Sequence, residues 1–175
     1  SLAVGQTLTL VLNATVTAST GDVTNTAAGT STTPDPTPTN TVTVPTPVAQ
    51  VADVSTTLSV TANGTPGLGI TATATFTNNG PSTASNVTAT IVKPDGTTQT
   101  TAIGTLAADA TQQVVVTYTV PAGSTTVQNW TAGVATTTPE STTANNTVTA
   151  ATTLTAAADL TVTKVASSTS GTQGQ

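Results

Sequence analysis

From Ile70 to Thr77 apolar and hydroxyl side chains alternate strictly: Ile70, Ala72, Ala74 and Phe76 against Thr71, Thr73, Thr75 and Thr77. A period of two sends successive side chains to opposite faces, so this run predicts a strand with one buried face and one hydroxyl-bearing face. The same pattern predicts a first strand over 53–62 and another through Val87, Ala89 and Ile91. A short strand follows near 98–103, then one placing Val114, Val116, Tyr118 and Val120 on a single face. A strand through Trp130, Ala132 and Val134 and a closing strand in 145–154 complete the set. Turn chemistry separates them. In Lys93–Gly96, Pro94 presets φ and the Asp-Gly pair takes φ near or above zero. In "TFTNNGPSTASNVTATI" (75–91), Asn78, Asn79 and Gly80 can visit left-handed conformations and Pro81 withholds an N–H. That stretch is predicted to link two strands rather than to form a polar pocket. Seven strands in this span match an all-β, immunoglobulin-like sandwich.

The pattern also repeats. "VADVSTTLSV" (51–60) returns as "AADLTVTKVA" (157–166), and "VTNTAAGTSTTPDPTPTNTVTV" (23–44) as "VQNWTAGVATTTPESTTANNTVTA" (127–150). "QTLTLVLNATV" (6–16) matches "QQVVVTYTV" (112–120) in pattern. The offset is about 106 residues, the length of a domain rather than of a solenoid unit. Residues 1–51 therefore read as the C-terminal half of one repeat, 52–157 as a complete repeat, and 158–175 as the first strand of the next. The chain begins and stops in mid-pattern, as a window from a longer polypeptide would, and "TAAAD" (155–159) reads as a short linker.

Composition supports the strands and narrows the chemistry. Of 175 residues 51 are Thr, a β-branched residue favoured on pleated surfaces and disfavoured in helices. A disordered chain would lack both the β-branched apolar residues and the alternation. Cys and His are absent, which removes disulfides, thiol nucleophiles, thiolate metal sites and the commonest general base. A net charge of -5, with Lys93 and Lys164 as the only cations, argues against nucleic acid and anionic membranes. No apolar run approaches the roughly 18 residues of a membrane-spanning helix.

"ADLTVTK" (158–164), "ATFTNNGPSTASNVTATI" (74–91), "GTLAADATQQVVVTYTVPAG" (104–123) and "NWTAGVATTTPESTTANNTVTA" (129–150) resemble a tandem conserved repeat of prokaryotic cell-surface proteins, the "domain of unknown function eleven" family. The resemblance implies arrays of immunoglobulin-like sandwiches in stalks, surface layers, sheaths and adhesins, and names no activity. Leu58 stands where the third copy has Lys164, and the Thr content is extreme for such repeats.

Candidate chemistry is sparse. A Ser or Thr nucleophile needs a base, and Asp35, Asp53, Asp95, Asp109, Glu140 and Asp159 show no glycosidase-like pairing. No catalytic residue, cofactor or enzyme activity is expected. Asp53 and Asp159 begin successive repeats and are weak calcium candidates, since Ca²⁺ takes six to eight oxygens and no Asp-x-Asp-x-Asp cluster exists. An isopeptide cross-link needs a buried Lys, and the middle repeat offers only Lys93, in a turn. Asn13, Asn63, Asn86, Asn129 and Asn145 stand in N-x-Thr sequons. Asn129 adjoins Trp130 and is expected to be the poorest acceptor, leaving Asn13, Asn63, Asn86 and Asn145. The tract 30–47 resembles O-glycosylated Pro-Thr segments, although its counterpart at 136–153 makes a strand-flanked loop the plainer reading. Phe76, Tyr118 and Trp130, the sole aromatics, are expected to form one packed core rather than a sugar platform.

The function expected is mechanical: a segment of an extracellular stalk, sheath or filament built from tandem sandwiches, joined end to end or by exchanged strands. Its partners are neighbouring repeats and identical chains, because the nearly charge-free edges lack the usual guard against pairing. The alternative is an adhesin or carbohydrate-binding module that takes surface glycans on loops at one end.

Overall fold

A computed structural model describes residues 2–18, 20–37, 39–158, 160–165, 171 and 173–174. Among them there is no helix, and the strands are β1 (Asp22–Ala28), β2 (Thr41–Pro47), β3 (Val54–Val60), β4 (Asn63–Gly64), β5 (Gly69–Asn78), β6 (Ala84–Val92), β7 (Thr98–Leu106), β8 (Thr111–Thr119), β9 (Gln128–Ala135) and β10 (Thr147–Leu154). β1 and β2 form a separate antiparallel hairpin. The rest build a sandwich of a three-stranded sheet, β3-β5-β8, and a five-stranded sheet, β4-β10-β9-β6-β7. All pairings are antiparallel except β4 with β10.

The sandwich has one strand more than the alternation predicts. β4 is two residues long and arises where the chain leaves β3 and crosses to the edge of the opposite sheet. Gly64 makes the crossing: a Cβ there would lie 2.8 Å from Ile70 Cγ2. No periodicity can show a two-residue strand.

Alternation decides what is buried. On β5, Ile70, Ala72, Ala74 and Phe76 are all at most 1% exposed. Val87, Ala89 and Ile91 of β6 and Trp130, Ala132 and Val134 of β9 face them from the other sheet. Trp130 and Phe76 are the largest fully buried side chains. Tyr118 is half-buried and meets Trp130 edge-on, with ring centroids 6.1 Å apart and planes at 88°. This T-shaped contact suits the ring quadrupoles. All three aromatics thus belong to the sandwich core or its margin. The indole Nε1 of Trp130 is buried without a partner.

Residues 6–16 form no strand, and Leu8, Leu10 and Leu12 are exposed. Their pattern matches β8, but β8 is held by β5, and among the described residues before 52 no strand is equivalent to β5. A strand without a ladder partner leaves its backbone groups to water. Residues 160–165, whose pattern matches β3, likewise form no strand, with Leu160 and Val162 exposed.

Candidate functional site

The densest polar constellation lies at the end of the sandwich where the chain arrives at β3. Alternation carries on past Phe76 and points Asn78 inward, fully buried. Its Oδ1 accepts from Asp53 N at 3.2 Å and Gly80 N at 3.1 Å. Its Nδ2 donates to the carbonyls of Ser82 at 2.9 Å and Leu106 at 3.0 Å. The backbone is equally committed: Asn78 N donates to Ala110 O, and Asn78 O accepts from Asp109 N. Every polar atom of Asn78 is satisfied, which is what a buried amide requires.

Around this hub the neighbouring residues grip the arriving backbone. Asn79 N donates to Asp53 O at 2.8 Å, Ser82 N to Val51 O at 3.1 Å, and Val51 N to Ser82 Oγ at 3.1 Å. Gly80 lies so close that an added Cβ would sit 2.5 Å from Ala52 C and Asp53 N. Neither Asn78, Asn79 nor Gly80 has a positive φ. The expected left-handed turn is therefore corrected: the glycine is required by close approach of two backbones. Asn86 takes the positive φ instead, 52°, within the register irregularity of β6 against β7.

The loop 138–146 holds the other side of the same segment. Ala52 N donates to Pro139 O at 2.8 Å, Ser141 N to Ala52 O at 2.9 Å, and Thr56 N to Asn145 O at 3.0 Å. Between them, Glu140 Oε2 accepts from Val54 N at 3.0 Å while Oε1 accepts from Asn146 Nδ2 at 3.0 Å. Asp53 Oδ1 accepts from Asn145 Nδ2 at 2.9 Å. The Oδ1 atoms of Asn145 and Asn146 are buried without partners. Of the two calcium candidates, Asp53 sits half-buried in this junction and Asp159 lies outside the described residues. Among the described residues no three His, Cys, Asp or Glu side chains gather as a metal group. As it stands, the junction uses its carboxylates as hydrogen-bond acceptors for backbone and amides.

Asp95 and Asp35 serve turns. Asp95 accepts from Thr97 Oγ1 at 2.6 Å and Thr97 N at 2.9 Å, bonds that hold its carboxyl below the usual value. The bond from Asn40 Nδ2 at 2.7 Å, assisted by Thr37 N, does the same for Asp35. An apolar cleft of about 380 Å³ beside the β1–β2 hairpin is lined by Val16, Val23, Thr46, Pro47, Val48 and Ala49, none of them titratable.

The sequons separate by exposure. Asn13, Asn63, Asn86 and Asn129 are exposed, and Asn145 is half-buried with its amide nitrogen bound to Asp53. For two of them exposure runs against the order of acceptors expected. Burial of Trp130 turns its strand neighbour Asn129 outward, whereas Asn145 is drawn into the junction. Sequence reasoning missed the roles of Asn78, Glu140 and Asn145. The signal for Asn78 was present, since it occupies the next inward position after Phe76.

No family model and no curated protein matches the chain. Among solved structures it is similar to the CARDB domain of a Pyrococcus furiosus protein, crystallised in complex with di-metal ions, at 12% identity and a TM-score of 0.52. That match covers 61% of this chain and 91% of the domain. The solution structure of the same domain matches at 13% identity and a TM-score of 0.53, over 59% of this chain and 95% of the domain. Likeness at this identity establishes the fold alone: residues 52–154 form an immunoglobulin-like β-sandwich of the kind seen in the CARDB domain.

Proposed function

We propose that this chain is a structural segment of a long secreted or cell-surface protein, in which tandem sandwiches form a stalk, sheath or filament. The observation that carries this reading is the junction. Residues 51–54, which connect whatever precedes to the sandwich, are gripped from both sides by Asn78–Ser82 and by 139–145. A connection held by so many backbone bonds transmits orientation and tension from one domain to the next instead of swivelling. The repeat in the sequence supports the same reading, because copies 23–44 and 127–150 both fold as antiparallel hairpins, β1–β2 and β9–β10. The two hairpins differ in register by one residue: Asn25 faces Val44, but Asn129 faces Ala151, one beyond the counterpart of Val44. Kinship with the domain-of-unknown-function-eleven repeats, a non-enzymatic role and an extracellular location belong to this proposal. The test is small-angle scattering and electron microscopy of proteins carrying one, two and four copies of the repeat. The maximum dimension should grow by a constant increment per copy, in beaded rods. Compact particles that fail to lengthen would refute the proposal.

A further inference from the structure

Every open sheet edge presents unpaired N–H and C=O groups to which another strand can add. Three of the four edges of this sandwich are covered in part or interrupted. β3 is covered over its first half by the loop 139–145, which takes the outward N–H groups of Ala52, Val54 and Thr56. β4 is two residues long and pairs only Thr153 and Leu154 of β10, so the edge of that sheet is split between two strands. β7 is broken by register shifts near Val87, where Gly104 has a φ of 86°.

β8 is the fourth edge, and it is unguarded. Its sequence, TQQVVVTYT, holds no charge, Gly or Pro, and it pairs with β5 from Gly69↔Thr119 to Thr77↔Thr111 without a shift. Among the described residues no strand lies on its other side. The bonds Asn78 N to Ala110 O and Val120 N to Leu68 O bracket the β5–β8 ladder. Strict alternation between them turns the polar backbone of even-numbered residues toward β5. The N–H and C=O groups of Thr111, Gln113, Val115, Thr117 and Thr119 therefore face the open edge. Natural edges carry lysines, prolines, bulges or covers against this situation, and β8 has none.

We propose that β8 is a homotypic docking edge, on which a second copy of this chain adds its own β8 antiparallel about a two-fold axis at Val115. Antiparallel pairing of identical strands is self-complementary and closes as a dimer. It sets Val115 against its own copy, Gln113 against Thr117 and Thr111 against Thr119, so no like charges meet. Val115, 58% exposed, supplies an apolar centre. The two three-stranded sheets join into one, whose outer face continues the Ser55, Thr57, Ser59 and Thr71–Thr77 hydroxyl surface without a charged residue. The pairing goes beyond the array reading because it needs no neighbouring repeat, so each can fail without the other. In an array, many weak edge contacts would add as avidity and bundle filaments side by side.

The experiment is sedimentation equilibrium of the whole chain from micromolar to millimolar concentration, on the natural protein and on Val115→Lys and Val115→Glu. The natural chain should dimerise with concentration. Each variant places like charges opposite each other on the axis and should raise the dissociation constant at least tenfold. An equimolar mixture of the two variants should restore the dimer, because Lys then meets Glu. A natural chain that stays monomeric at millimolar concentration overturns the proposal. So does a dimer that tolerates Val115→Lys, or a mixture that fails to reassociate. Unchanged emission from buried Trp130 verifies that the variants fold.

Discussion

Asn78 and Asn79 are adjacent, chemically identical and indistinguishable by composition, yet the structure assigns them very different weight. Asn78→Ala removes a buried side chain that makes hydrogen bonds to Asp53 N, Gly80 N, Ser82 O and Leu106 O. Each buried group left unpaired costs about 1–3 kcal/mol, and orphaned N–H groups weigh more than carbonyls with a second lone pair. Two stranded N–H groups at the middle of that range give about 4 kcal/mol. At about 4 °C or more per kcal/mol for a domain near 100 residues, the melting midpoint should fall by about 16 °C. Asn79 is exposed and its side chain bonds only Ser55 Oγ, at 2.9 Å. Asn79→Ala should therefore cost about 0.5 kcal/mol or less. Asn78→Asp adds a sharper probe. A carboxylate still accepts from Asp53 and Gly80 but turns an acceptor toward the carbonyls of Ser82 and Leu106, so it should rescue little. Thermal and urea unfolding, followed by circular dichroism and by the emission of the sole tryptophan, measures all three variants. Equal losses for the two alanine variants, or natural stability in Asn78→Asp, would refute the assignment of Asn78 as the hub.

Gly80→Ala should destabilise by about 3 kcal/mol, because the new Cβ meets the backbone of Ala52 and Asp53 and no flexible side chain can yield. The same unfolding assay checks it, and a loss under about 1 kcal/mol would contradict the close approach. Expression in an N-glycosylating host followed by peptide mass mapping should find Asn129 occupied more fully than Asn145, whose amide nitrogen is bound to Asp53. Occupancy at Asn145 with Asn129 bare would contradict the exposure argument.

Alternation along single strands made most of the sandwich legible. Ile70 to Phe76, Val87 to Ile91 and Trp130 to Val134 are buried where period two places them, because a pleated strand leaves each side chain only two faces. The same rule names Asn78 as an inward residue, although its polar character reads more readily as a turn. Exposure of Asn129 follows from it as well. Hydrogen bonds between segments distant in sequence leave no such trace. Glu140 caps Val54 across 86 positions and Asn145 meets Asp53 across 92, and nothing local to either residue announces the pairing.

Local pattern is thus enough to set the all-β class, the inward face of each long strand and the scarcity of catalytic side chains. These depend on side-chain periodicity and composition, which are local properties. Contacts between distant segments settle which sheet each strand joins, which edges are covered, and why Gly80 must be glycine. The same contacts leave residues 6–16 outside any strand despite a pattern matching β8. A strand is completed by the backbone groups of its neighbour, and whether that neighbour is present is not written in the strand.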